Sequence, residues 1–290
     1  SSMDNAFEAT RGFHWYGYDK DNNKFIDLSA TETNGVGAEH IQIVSIQIDS
    51  KNNLLYGMSI PEHKLVVYDI EKGQTTVLGK PDQWSGHFYS NRFMWIDSRG
   101  RVYISGGSER GQWNRGEDKD IFNHVWYYDP IIGFGELKDF ALQGANALEV
   151  GQWDRQGERL YSSDDQGNIY MFTDATGKCD FLGRPDFTTA AKTWIFQLSA
   201  DERKIYIGLS DRGATNNAIY EFDIASRSSF ELTNMSELDS KVASEDFIAG
   251  YDSWDKNGNF YFAAFSMYDA ENVLMVGVNP VKIKVAKGIL

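Results

Sequence analysis

Apolar and polar positions alternate along the chain in short runs, and each run stops at a polar turn. This period of two is the mark of half-buried strands. Residues 46–59 read IQIDSKNNLLYGMS: an apolar strand, a turn rich in Asp, Asn and Lys, then an apolar strand carrying a tyrosine. The same unit returns at 94–107 (MWIDSRGRVYISGG), 151–164 (GQWDRQGERLYSSD), 196–210 (FQLSADERKIYIGLS) and 252–265 (DSWDKNGNFYFAAF). Asp, Asn and Gly tolerate the backbone of tight hairpin turns, which predicts two antiparallel strands per unit. The matching tyrosines are Tyr56, Tyr103, Tyr161, Tyr206 and Tyr261. They recur at roughly 50-residue intervals, within the range of propeller blades.

A third strand follows each pair: LVVYDI (65–70), HVWYYDP (124–130), NIYMFTD (168–174), AIYEFDI (218–224) and the weaker VLMVGVN (273–279). A polar turn and a fourth short strand come next, as in EKGQTTVLG (71–79) and TGKCDFLG (176–183). Four antiparallel strands per repeat predict an all-β chain, a β-propeller of four-stranded blades. The blades are expected near 41–80, 88–140, 144–184, 193–235 and 247–290, the last completed by VKIKVA (281–286). FHWYGYD (13–19) and KFIDLS (24–29) read as the third and fourth strands of a partial N-terminal blade near 13–30. Five blades and a fraction leave sheet edges open. Either residues 1–12 complete a degenerate sixth blade, or the chain is the C-terminal part of a larger propeller; the second is preferred. The stretch 234–247 predicts a short connecting helix with Ser236 and Asp239 as its cap pair. DKDNN (19–23) starts like a calcium loop but lacks its Gly and final Glu, so a strand-connecting turn is expected there.

Composition sharpens this picture. Aromatic residues make up 14% of the 290 positions, enough to require a packed core. A single cysteine, Cys179, excludes an internal disulfide and a Cys-rich zinc site. No apolar run reaches the roughly 18 residues of a membrane-spanning helix. The net charge of −14 argues against nucleic acid and anionic membranes as partners. It does not decide against an acidic polysaccharide, because exposed charge is screened over about 8 Å. Ser1-Ser2-Met3-Asp4 has no basic start and no apolar stretch, so no signal peptide is expected there. Asn234-Met235-Ser236 matches the glycosylation acceptor pattern, as one tripeptide in a chain this long does by chance. Phosphate-loop, His-Glu-x-x-His and Gly-x-Ser-x-Gly motifs are absent.

Loops between blades and loops joining strands two and three leave a propeller on one face, where function concentrates. All five histidines, His14, His40, His63, His87 and His124, fall in or beside segments of that face. Two segments there carry the chemistry. WSGHFYSNRF (84–93) feeds an innermost strand and supplies Trp84, His87, Tyr89, Asn91 and Arg92; if extended, it points His87, Tyr89 and Asn91 the same way. The long loop at 106–124 supplies Trp113, Arg115 and His124. Both belong to one blade and are expected to meet. Trp and Tyr stack on sugar rings, Arg pairs with a carboxylate, and His and Tyr transfer protons. That kit suits β-elimination from a uronic acid. His87 would remove the proton beside the carboxylate, Arg92 or Asn91 would stabilise the developing charge, and Tyr89 would protonate the leaving oxygen. Trp84, Trp113, Arg115, His124, His40 and His63 would bind the saccharide.

The runs NNLLYGMSIPEHKLVVYDIEKGQTTVLG, SRGRVYISGG followed by VWYYDP, and GNIYMFTDATGKCDFLG resemble the large propeller proteins of polysaccharide-degrading microbes. Among them the chain most resembles the rhamnose–glucuronate lyases over residues 42–223. The resemblance implies a seven-bladed propeller and side-chain cleavage of plant gums by β-elimination. It also implies His, Tyr and Arg on the loop face, where His87, Tyr89 and Arg92 are the best-placed residues. A uronate-containing oligo- or polysaccharide is the expected partner of a monomeric, periplasmic or extracellular protein. Two alternatives stay open. One is a metal-dependent lactonase of the gluconolactonase type, with Ca²⁺ held by oxygen ligands among Glu39, Asn146, Glu149, Asp246 and Asp252. The other is a non-catalytic binding propeller.

Overall fold

A computed structural model describes residues 15–28, 42–60, 64–81, 93–105, 124–143, 148–164, 166–187, 192–210, 217–238, 246–266 and 269–290. The chain divides into two compact units, Ser1–Ala141 and Leu142–Leu290. Every sheet in both is antiparallel and runs in simple sequence order.

The first unit opens with a two-stranded sheet, β1 (Tyr16–Asp19) and β2 (Lys24–Asp27). The Asp19 carboxylate closes its turn by accepting from the Asp21 and Asn22 N–H groups. DKDNN is therefore a hairpin turn. Next comes a four-stranded sheet of β3 (Gln42–Asp49), β4 (Leu54–Ile60), β5 (Leu65–Asp69) and β6 (Gln74–Gly79). A second holds β7 (Met94–Ile96), β8 (Val102–Ser105), β9 (His124–Asp129) and β10 (Gly133–Ala141).

Alternation along β4 shows how these sheets stack. Leu54, Tyr56 and Met58 pack with Met94, Val102, Ile104 and Trp126 of the next sheet. Leu55, between them in sequence, faces the other way, toward Trp15, Leu28 and Tyr68. Gly57 shares that second face, and a Cβ there would lie 2.9 Å from both Ile43 and Trp15. A strand buried on both faces thus needs large side chains on one side and a gap on the other. Trp15 also donates its indole N–H to Thr75 at 3.2 Å, which ties the first hairpin to β6.

The second unit has two four-stranded sheets. One comprises β11 (Leu148–Trp153), β12 (Arg159–Asp164), β13 (Ile169–Thr173) and β14 (Lys178–Gly183), with Cys179 in its last strand. The other comprises β15 (Lys192–Leu198), β16 (Lys204–Ser210), β17 (Ala218–Asp223) and β18 (Ser229–Asn234). A short helix, α1 (Met235–Leu238), leads to a three-stranded sheet of β19 (Asp246–Trp254), β20 (Phe260–Ser266) and β21 (Asp269–Val278). Apolar layers fill both gaps between these sheets. One is centred on Ile207, Leu209 and Phe222, the other on Ile219, Phe260 and Phe262. Each buried Phe contributes roughly 1.5–3 kcal/mol of transfer free energy.

Two local expectations are corrected. Residues 281–286 form no fourth strand; they lie in helix α2 (Pro280–Ala286). The alternation of VKIKVA reads as a strand, but Pro280 starts a helix and the Asn279 side chain accepts from the Lys282 N–H at 3.0 Å. Lys284 is then buried and reaches Glu221 at 2.8 Å. Helix α1 is capped by Asn234, whose side-chain oxygen accepts from the Glu237 N–H at 3.0 Å, two residues earlier than the Ser236–Asp239 pair. No helix among the described residues is long and apolar enough to cross a membrane.

Candidate functional site

The sheet of β7–β10 is where the sequence concentrates candidate chemistry. Its strands are held in place by a row of aromatic side chains. Phe93 stacks on Trp95 with centroids 6.1 Å apart, Trp95 on Tyr103 at 4.9 Å, and Tyr103 meets Tyr127 at 5.8 Å. Trp95 and Tyr103 are directly opposite in the ladder, as are Tyr103 and Tyr127, so these are cross-strand pairs that fix register. Tyr103 donates to Asp97 at 3.1 Å. Arg101 pairs with Asp129 at 2.7 Å and stands over the Tyr127 ring at 4.9 Å.

That register defines one end of the sheet. Met94, the first residue of β7, faces Ile104, and Ser105, the last of β8, faces Val125. His124 begins β9 beside it. The segment before Met94 and the segment between Ser105 and His124 therefore join the sheet at the same end. Trp84, His87, Tyr89, Asn91, Arg92, Trp113 and Arg115 lie in those segments and outside the described residues, as do His40 and His63.

His124 is the described member of the candidate set. Its Nδ1 makes a short contact with the Glu136 carboxylate, a partner that the sequence reading did not single out. The imidazole also lies against Trp126, 6.2 Å between centroids and 22° from parallel. A register shift on β10 brings Glu136 there. Glu136 faces Trp126 and Ala141 faces His124, so the residues between them bulge out of the ladder. A bulge re-aims side chains, and no alternation rule locates it in advance. Glu136 itself gave only the weak signal of an acid on an outer strand.

Of the positions considered for a metal, Glu39 and Asn146 lie outside the described residues, and Asp246 and Asp252 are described only in their backbone. Glu149 is buried in β11. Among the described residues no three His, Cys, Asp or Glu side chains come together to hold a metal ion.

One described carboxyl has a raised pKa: Asp164, at the end of β12. It is fully buried, and burial pushes its pKa up to about 6. Four donors oppose that rise: the N–H groups of Gln166 and Asn168, the Asn168 amide and the Tyr170 hydroxyl, all at 2.7–3.0 Å. With every lone pair engaged, this carboxyl closes a turn. The pattern Asp-x-x-Gly-Asn/Arg-x-Tyr recurs at Asp97, Asp164 and Asp255 and was legible in the sequence.

These sheets are blades of a β-propeller, and the comparisons with solved structures support that fold. No family model matches the chain, and no curated protein matches it by sequence. A chain of a nidogen–laminin complex matches with a TM-score of 0.52 at 11% identity, over 94% of this chain and 92% of that one. The extracellular domains of two proteins assigned as hybrid two-component systems of B. thetaiotaomicron match as well. BT3049 gives a TM-score of 0.54 at 13% identity and BT4673 0.53 at 11%. Over 90% of this chain is covered in both, but it spans only 32% and 30% of those chains. At such identities the likeness is one of fold.

Proposed function

We propose that the chain is a carbohydrate-directed propeller, acting outside the cytoplasm, that cleaves beside a uronic acid by β-elimination. The observation that carries this reading is the common end of the β7–β10 sheet, where the segment bearing Trp84, His87, Tyr89, Asn91 and Arg92 and the loop bearing Trp113 and Arg115 are both anchored. In this reading Trp84 and Trp113 stack on sugar faces, Arg92 and Asn91 hold the carboxylate, and Tyr89 protonates the departing oxygen. A histidine takes the proton at C5, and His87 is the residue the sequence offers for it. The extracellular setting of the two B. thetaiotaomicron structures supports work outside the cytoplasm.

The test is ultraviolet absorbance during incubation with uronate-containing polysaccharides, including gum with rhamnose–glucuronate ends. Elimination leaves a conjugated, absorbing uronate, whereas hydrolysis does not. A rise with the wild-type chain, lost in His87→Ala or in Tyr89→Phe, supports a lyase. A flat trace from folded protein overturns it.

The likeness to sensor ectodomains favours one second reading, a propeller that binds saccharide without cleaving it. Calorimetric binding of the same oligosaccharides, with no absorbance change, would establish that reading instead.

A further inference from the structure

Resting on the lyase reading, we infer that His124 is the residue that takes the proton and that Glu136 positions it. An ionised carboxylate only accepts hydrogen bonds. The Glu136 contact at Nδ1 therefore holds the proton on that nitrogen and leaves the Nε2 lone pair as the acceptor. The same carboxylate stabilises the imidazolium once Nε2 has been protonated. The side chains of His124 and Glu136 are both partly exposed (33% and 24%), so the pair is reachable from solvent. Trp126, which lies against the imidazole, is packed in the core and restricts how the ring can turn.

The step balances without a further reactant. Nε2 of His124 takes the proton from C5 of the uronate. The electrons of that C–H bond form the C4=C5 double bond, and the bond from C4 to its oxygen breaks. The departing oxygen receives a proton from the Tyr89 hydroxyl. Solvent then returns a proton to Tyr89 and removes one from His124.

The experiment measures kcat and KM by absorbance for the wild type, Glu136→Gln, His124→Ala, His124→Gln and His87→Ala, each checked for folding by circular dichroism. Glutamine at 136 can donate to Nδ1 and so favour the tautomer that carries its proton on Nε2. Glu136→Gln is expected to lower kcat about 10–100-fold with KM nearly unchanged. His124→Ala is expected to lose about 100–10,000-fold, with partial rescue by added imidazole. Imidazole nitrogen chemical shifts provide a readout independent of turnover: the proton of His124 should sit on Nδ1 in the wild type and move in Glu136→Gln. If His124→Gln and Glu136→Gln retain kcat while His87→Ala abolishes it, the inference is overturned and the lyase reading stands. No wild-type activity overturns both.

Discussion

Asp164 and Asp255 accept the same four hydrogen bonds from the same relative positions of two different turns. In each, the donors are the N–H groups two and four residues on, an Asn amide four residues on and a Tyr hydroxyl six residues on. Their pKa values nevertheless move in opposite directions. Burial raises Asp164 to about 6, whereas hydrogen bonds from Asn259 and its neighbours hold Asp255 well below the usual carboxylate range. The donors are shared and the dielectric surroundings differ, so solvent access decides the sign.

Removing the tyrosine donor should separate the two sites. Tyr170→Phe leaves a buried carboxyl one donor short and is expected to cost about 1–3 kcal/mol. Tyr261→Phe leaves a carboxylate that water can reach and should lower the urea midpoint much less. Equal losses at the two sites would contradict the role given to burial.

The raised pKa of Asp164 has a definite consequence with pH. Its folded-state value lies above the roughly 3.9 of an unfolded carboxyl. The stability it contributes is therefore fully present below about pH 4 and is lost as the pH rises through about 6. Lowered carboxyls such as Asp255 and Asp129 have the opposite slope, with stability lost as the pH falls through their folded values. The Asp164 contribution is thus read as a difference. Urea unfolding of wild type and Asp164→Asn between pH 4 and 7 should show the wild type losing ground to the variant as the pH rises.

Two glycines of the recurring turn have φ near +80° but different neighbours. A Cβ on Gly167 would lie 2.9 Å from the Leu209 side chain, whereas on Gly258 the nearest atom is 3.7 Å away. Gly258→Ala should cost about 1 kcal/mol, the backbone term alone. Gly167→Ala adds overpacking of about 1–3 kcal/mol. Thermal midpoints of the two variants would check the order.

A chelator separates the chemistries weighed for this fold. Under the lyase reading, treatment with EDTA leaves the absorbance-monitored rate unchanged. Hydrolysis of a lactone substrate that is lost on chelation and restored by Ca²⁺, with no absorbance rise on uronate polysaccharides, would move the weight to a metal-dependent lactonase.

Much of the strand order could be read from residues. The runs 65–70, 124–130, 168–174 and 218–224 all became third strands because alternation with tyrosine and valine leaves little choice of period. The last repeat misled for the same reason. Val281, Ile283 and Val285 alternate with lysines and outweighed the Asn279-Pro280 helix start, and the burial of Lys284 against Glu221, 63 residues away, depends on the fold. The His124–Glu136 pair was hidden by a bulge, which shifts register without leaving a local mark. The turn built on Asp164 was visible as a motif, but its altered acidity depends on neighbours brought in by the fold.

Helix α2 occupies the place where a fourth strand was expected. Glu221 of β17 is nearly fully buried and holds both Lys204 and Lys284. Ile283 packs into the layer shared by the last two sheets, and Lys287 pairs with Glu237 at 2.7 Å. A strand would have bonded only to its own sheet; a helix bridges to the one before. The β15–β18 sheet, the β19–β21 sheet and the C-terminal helix are therefore latched into one cooperative block. Lys284→Ala cuts that latch and leaves the buried carboxylate with Lys204 as its one cation, a loss of about 1–3 kcal/mol. Amide exchange in β17, β18 and β20 should then speed up together, so that the whole block opens as one piece when its last seven-residue helix lets go.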